Sequence, residues 1–377
     1  MSAREPNNDA GSPAVAAGDF AVGTTRVDIA TDAGRKLPVQ LWYPAVESAR
    51  AEASMGHPVS EFEAPGPRRE LLERLLAGAP ADCTNRRMHA AFGAPALAAA
   101  APYPLLVYSH HNEGMRSALF SQAERLARLG FVVAAPDHSD MTLYDRTDDL
   151  ASEDVVGMAL RFRLDALELR AADIESVIDL ALDARAEAMP PDLRGKIDAN
   201  QIGVFGHSMG SMTAGIVAQR DTRVSLAAYL SFPPAATSSL LNLLDQPAIE
   251  SFRVPALFML NQEDSPLSAV GGNDAIREQF AADPALAYLV EVHDTGHWSF
   301  ADDCALIPDF ADGCGSGTRH EEPYEAYDNL SNQLSREIAG RYLEAFFGHH
   351  VLGRALGPLD GTDSSLHETV QKHAASR

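Results

Sequence analysis

The stretch that most constrains this chain is Gln201 to Gly210, QIGVFGHSMG. A short apolar run, Gln201 to Phe205, passes directly into Gly206-His207-Ser208-Met209-Gly210. A helical pattern with Met212, Ile216 and Val217 follows at once. This is G-x-S-x-G in a strand–turn–helix context. A sharp turn lifts the serine hydroxyl clear of the backbone, and the flanking glycines leave room for that turn. The helix aims the positive end of its dipole at the place where an oxyanion would develop. A bare match is expected roughly 0.1 times by chance in a chain of this size, so the flanks carry the specificity. Ser208 is therefore the expected nucleophile, at the end of a strand in an α/β sheet.

The rest of the 377 residues fits such a sheet. Val22–Ile29 and Leu37–Tyr43 read as a leading strand pair. Pro104–Ser109, a helix over Ser117–Leu129 closed by Gly130, and Phe131–Ala135 read as a βαβ unit. A long helix over Leu164–Ala188 carries Leu167, Ala171, Ile174, Ile178 and Leu182 at helical spacing, ahead of Pro190-Pro191. Gln201–Phe205, Val224–Leu230, Ala256–Leu260 and Ala287–Val292 follow as strands, the last of them closing the series. Leu334–Phe347 reads as an amphipathic closing helix. Alternating strands and helices of this kind predict a mostly parallel central sheet flanked by helices. The expected organisation is a polar tail over residues 1–18 and one domain over 19–356. That domain carries an insertion at 44–101 and an acidic excursion at 138–163, both expected to cap the site. A second polar tail covers 357–377.

A serine alone is a poor nucleophile; it needs a histidine base and a carboxylate to hold that base in the right tautomer. In this strand order the acid and then the histidine come after the serine. The strand VPALFML runs into Asn261-Gln262-Glu263-Asp264, on the same rim of the sheet as Ser208. Asp264 is the expected acid, with Glu263 as the alternative. VEVHDTGHWSF offers two histidines. His297, in a loop after Gly296, is the expected base; His293 sits at the strand end. For the oxyanion hole, one backbone N–H comes from Met209, the residue after the nucleophile. The second is expected in Ser109-His110-His111-Asn112-Glu113-Gly114, with Asn112 ahead of His111. His110 reads as a structural hydrogen-bonding residue beneath that loop. His111, Trp298 and Phe300 are expected around a substrate pocket, although the same aromatics fit an ordinary core.

The charge balance limits the partners. Thirty Lys+Arg against 53 Asp+Glu leave a net charge of −23, which repels phosphate backbones, so nucleic acid is not an expected partner. Apolar residues at 46% and charged residues at 22% are ordinary globular usage, which excludes a disordered or fibrous chain. No apolar run reaches the ~18–20 residues that span a bilayer. The three cysteines, Cys83, Cys304 and Cys314, show no metal-ligand spacing, and no metal is expected. Cys304 and Cys314 stand ten residues apart in a Gly/Asp/Pro-rich stretch, open to a local disulfide or to two unrelated thiols. The N-terminus lacks a basic run followed by an apolar run, so the default reading is cytoplasmic; a Cys304–Cys314 bond would instead suit an exported form.

Together these segments resemble the α/β-hydrolase superfamily. Within it, LPVQLWYPA, PYPLLVYSHHNEGMRS, LARLGFVVAAPDHSD and GHWSFADDC with a second cysteine ten residues on are similar to bacterial dienelactone hydrolase-like and platelet-activating-factor acetylhydrolase-like esterases. The resemblance covers roughly residues 20–350. It implies Ser208 as nucleophile, His297 as base, and N–H donors at Asn112 and Met209. The chain departs from the pattern in three places. Ser109-His110-His111 stands where the family has Ser-His-Gly. The strand after the nucleophile helix ends LSFPPAATSS, with no carboxylate before Asp245. Asp264 is instead similar in position to the acid of cutinase-like polyester hydrolases. Dienelactone hydrolases use a cysteine where this chain has Ser208.

The expected function is hydrolysis of a small-molecule or lipid-like carboxylic ester through Ser208, His297 and Asp264, without a cofactor, and the resemblance implies short acyl or acetyl groups. Amide, thioester or acyl-transfer chemistry on the same residues is the alternative, and a non-catalytic binding role for the fold is a third. The sequence leaves the oligomeric state open.

Overall fold

A computed structural model describes residues 19–31, 34–139, 142–145, 164–235, 252–268, 271–320, 325–361 and 367–374. The strands in chain order are β1 (Ala21–Ala30), β2 (Lys36–Ala45), β3 (His57–Pro58), β4 (Arg87–Met88), β5 (Ala91–Phe92), β6 (Tyr103–Ser109) and β7 (Val132–Pro136). They continue with β8 (Ile197–His207), β9 (Val224–Leu230), β10 (Ala256–Asn261), β11 (Ala287–Val292), β12 (Ser316–Thr318), β13 (Ala326–Asp328) and β14 (Glu368–His373). Ten of them form one sheet in the order β14-β11-β10-β9-β8-β6-β7-β2-β1-β5. Every pairing from β7 through to β11 is parallel. The antiparallel pairs β1/β2, β2/β7 and β11/β14 flank this core. This is the α/β-hydrolase fold.

The strand order reverses at β6: β7 lies on one side of it and β8 on the other. In open α/β sheets the crevice outside the strand C-termini at such a reversal is where ligands bind. Ser208 follows β8 there, and the loop Ser109–Gly114 leaves β6 beside it.

Alternation along the strands builds a core on each face. Leu105 and Val107 of β6, with Ala256, Phe258 and Leu260 of β10, pack under the helices Leu164–Leu182 and Met209–Arg220. Leu106 and Tyr108, with Leu257 and Met259, pack on the other face under Phe120–Leu129 and Asn332–Leu352. The closing helix buries Ile338, Tyr342, Leu343, Phe346 and Phe347. It starts at Ser331, whose Oγ accepts the Leu334 N–H at 3.3 Å, and stops at Gly353, which has φ +67°. It runs longer than the expected Leu334–Phe347 because these caps lie outside its apolar stripe.

Other boundaries shift for local reasons. The long helix ends at Leu182 rather than near Ala188. Asp183 accepts the Arg185 N–H at 2.8 Å, and such a side-chain turn competes with helix continuation. Residues 357–377, expected as a polar tail, contain β14, so Ala287–Val292 is not the last strand. The exposed residues of β14 face solvent at the sheet edge, which erases its apolar periodicity. Its one buried acid, Glu368, is paired with Arg341.

The insertion 44–101 carries β3, β4, β5 and the helix Pro67–Gly78, with Leu72 and Leu76 buried. A fully buried guanidinium pins it to the body: Arg116 donates to Glu63, to the Phe62 carbonyl and to Asp137 at 2.6 Å. Of the excursion 138–163, residues 140–141 and 146–163 lie outside the described residues, and its expected role as a cap lies there with them.

Candidate active site

The turn after β8 forms because two glycines allow backbone to meet backbone. A Cβ on Gly206 would stand 2.0 Å from the Gly210 carbonyl oxygen. A Cβ on Gly210 would stand 1.9 Å from the Ser109 carbonyl oxygen at the end of β6. Between them Ser208 takes φ +57° and ψ −121°, a backbone region that a side-chain-bearing residue rarely occupies. Its N–H donates to the Leu230 carbonyl at 2.9 Å, and its side chain points out at the rim. The same packing sets the loop after β6 against the first turn of the following helix.

Three expected residues meet there. Ser208 Oγ lies 2.8 Å from His297 Nε2, and His297 Nδ1 lies 2.6 Å from Asp264 Oδ2. Asp264 Oδ1 also accepts the Leu267 N–H at 3.1 Å. With Asp264 ionised, the proton of His297 sits on Nδ1 and Nε2 is free to accept from the Ser208 hydroxyl. Asp264 and His297 are both buried. Burial pulls the His297 pKa down, but the charge and hydrogen bond of Asp264, helped by Asp312, outweigh it and hold it above the ordinary histidine value. Burial pushes the Asp264 carboxyl up against the opposing effect of His297.

The alternative acid, Glu263, is engaged elsewhere. Its two oxygens take Arg319 Nη1 at 2.8 Å and the His320 N–H at 3.0 Å. His293 closes a backbone hydrogen bond from its N–H to the His367 carbonyl. Asp245 lies outside the described residues.

Around the oxyanion loop, His110 is buried. Its Nε2 accepts the His138 N–H at 3.1 Å, so Nδ1 carries the proton and donates to the His111 carbonyl at 2.7 Å. The Arg170 guanidinium, also buried, donates to the His110 carbonyl. Met209 begins the helix Met209–Arg220, so its N–H is one of the four without an intrahelical partner. Asn112 lies in the turn closed by the Gly114 N–H on the His111 carbonyl at 3.1 Å.

All three expected pocket residues are buried. Phe300 is fully buried in the core beneath the closing helix. His111 is buried with Nε2 3.1 Å from Asp303, and its ring meets those of His207, Trp298 and Phe310. Trp298 stacks on Phe310 and stands edge-on to His297 at 4.6 Å between ring centroids. A period-free loop gives no sign of which way such side chains turn, so the sequence could not separate pocket from core here.

Of the two readings left open for Cys304 and Cys314, a local disulfide or unrelated thiols, the local bond does not form. Cys314 is bonded to Cys83, and Cys304 is a buried free thiol whose sulfur accepts from Asn332. Cys83 comes from the insertion, far away in sequence, and the fold brings it to the segment after His297. Among the described residues, no group of three or more His, Cys, Asp or Glu side chains is arranged to hold a metal, and no helix is long and apolar enough to cross a membrane.

Two residues at the site had no role in the sequence reading. His207, inside the motif, is buried, and its Nε2 donates to the His297 carbonyl at 2.8 Å. Burial, helped by His297 and His111, keeps it neutral. Asp312 accepts the His297 N–H at 2.6 Å. His207 was visible as the variable position of G-x-S-x-G; Asp312 has no local signal.

Residues 7–155 match the family described as platelet-activating factor acetylhydrolase, isoform II. No curated protein matches the chain. Among solved structures, a ferulic acid esterase from Streptomyces cinnamoneus is similar, with a TM-score of 0.62 and 23% identity over 95% of this chain and 98% of that one. The chain is thus a carboxylic ester hydrolase of the α/β-hydrolase fold, similar in residues 7–155 to platelet-activating factor acetylhydrolase, isoform II.

Proposed function

We propose that this enzyme cleaves small carboxylic esters with short acyl groups through a Ser208–His297–Asp264 triad. The observation that carries the reading is the unbroken line from Asp264 Oδ2 to His297 Nδ1 at 2.6 Å and from His297 Nε2 to Ser208 Oγ at 2.8 Å. In the first half-reaction His297 takes the Ser208 proton as Oγ attacks the ester carbonyl. The N–H groups of Met209 and Asn112 receive the oxyanion of the tetrahedral intermediate. The imidazolium, stabilised by Asp264, then protonates the leaving alcohol and an acyl-enzyme forms on Ser208. In the second half His297 activates a water, which releases the acid and restores the serine.

The short acyl preference is supported by the match to acetylhydrolases. Hydrolysis of p-nitrophenyl esters from acetate to dodecanoate tests both parts, with a ferulate ester added because the structural neighbour is named for that acid. Turnover should be greatest at the short chains. Ser208→Ala should lower kcat by several orders of magnitude, leaving about 10³-fold over water. Undiminished turnover by that variant overturns the triad, and a preference for long chains overturns the acyl assignment.

A further inference from the structure

Asp312 stands outside every sequence motif, yet it is bonded to both loops that meet at Ser208. Its Oδ2 accepts the His297 N–H at 2.6 Å and the Ser265 N–H at 3.2 Å. Its main-chain carbonyl accepts the Trp298 N–H at 3.0 Å. One carboxylate oxygen therefore ties the residue after Asp264 to His297 itself. The approach is tight: a Cβ on Gly296 would lie 2.4 Å from Gly313 N and 2.8 Å from Asp312 Cγ. Ser299 closes the contact, its Oγ accepting the Gly296 N–H at 3.0 Å and donating to the Gly313 carbonyl at 3.3 Å. From behind, Asn332 donates to the same Gly313 carbonyl at 3.0 Å, and Cys314 is held by its bond to Cys83. The segment Asp312–Cys314 that carries the carboxylate is thus held by Ser299, Asn332 and Cys83.

We propose that Asp312 is a positioning residue for ester hydrolysis: it locks His297 against Asp264, and its negative charge favours the imidazolium that forms when Ser208 gives up its proton. This rests on the reading of Ser208, His297 and Asp264 as the triad. Among the described residues, the titratable groups that face His297 are Asp264, Asp312 and His207, with His111 and its partner Asp303 behind His207 and Trp298. His207 is neutral, so Asp264 and Asp312 supply the negative charge that acts on His297 directly.

The test is the pH profile of p-nitrophenyl acetate hydrolysis by wild type, Asp312→Asn, Asp312→Ala and Ser208→Ala, with Tm measured for each. Both side-chain bonds of Asp312 go to one oxygen. An asparagine amide oxygen can accept both, so Asp312→Asn removes the charge and keeps the clamp. Its kcat/KM should lose the acid limb at lower pH than wild type, by roughly half a unit. Asp312→Ala removes the clamp too and should lower kcat by about 10–100-fold with KM changed less than about threefold. A residue that only supports the fold would lower Tm without moving the acid limb. An unmoved limb in Asp312→Asn overturns the proposal, and that variant decides alone if Asp312→Ala does not fold. Ser208→Ala keeps the two readings apart. Turnover without the serine overturns the triad, whereas an inactive Ser208→Ala beside wild-type behaviour of both Asp312 variants overturns only the positioning role.

Discussion

Cys83 and Cys314 are joined by a disulfide across a sequence separation of 231. The bond ties the insertion to the segment after His297, the two parts already linked by the Thr84 hydroxyl on the Cys304 carbonyl at 2.7 Å and Asn85 Nδ2 on Asp302 at 2.9 Å. Closing so long a loop removes much of the freedom of the unfolded chain, and bonds of this kind contribute about 2–5 kcal/mol. Thiol titration of the denatured, unreduced protein should count one thiol, Cys304, rising to three after reduction. The Cys83→Ser/Cys314→Ser protein should melt several degrees lower. Three thiols before reduction would remove the bond.

Adjacent acids have opposite assignments, which makes them a matched pair for mutation. Asp264 faces His297, whereas Glu263 faces Arg319. Asp264→Asn should lower kcat by about 10⁴-fold, because the amide favours the wrong imidazole tautomer. Glu263→Gln should leave kcat nearly unchanged and lower Tm, since it weakens a buried charge-assisted contact. The converse pattern in steady-state kinetics would hand the role to Glu263.

Glu124 supplies a stability prediction with a definite sign. Its carboxyl accepts the His89 N–H at 2.7 Å in a buried place, and burial pushes its pKa up to about 8. The folded protein therefore holds this proton up to about pH 8, while the unfolded chain releases it near the ordinary glutamate value of 4.5. The native state binds more protons across that window, so this residue makes stability fall as pH rises from 4.5 to about 8 and adds no further slope above. Glu124→Gln keeps an acceptor for His89 and abolishes the titration. Denaturant melts should show the variant gaining on wild type progressively through that window. A constant difference between the two at all pH values would contradict the assignment.

The parts of the protein that depend on neighbours in sequence were legible. Apolar runs of strand length and stripes of helical period marked nearly every element of the parallel core, because periodicity records which side a residue turns. Caps and edge strands were less legible: β14 carries polar residues at the exposed rim, and the end of the long helix is set by the Asp183 turn. At the site, Ser208 could be read because its turn demands glycines at fixed offsets. Asp264 and His297 were expected, beside Glu263 and His293, because this fold places an acid and a histidine after later strands.

What the sequence alone determined is therefore the alternating sheet and the serine that the strand–turn–helix motif must expose. Tertiary structure decided the rest: which of Asp264 and Glu263 lies against His297, Cys83 rather than Cys304 as the partner of Cys314, and the attachment of Asp312 to His297. Each of these is a choice between chemically equivalent side chains. Distance and burial make the choice, and those exist only once segments far apart in the chain have packed together.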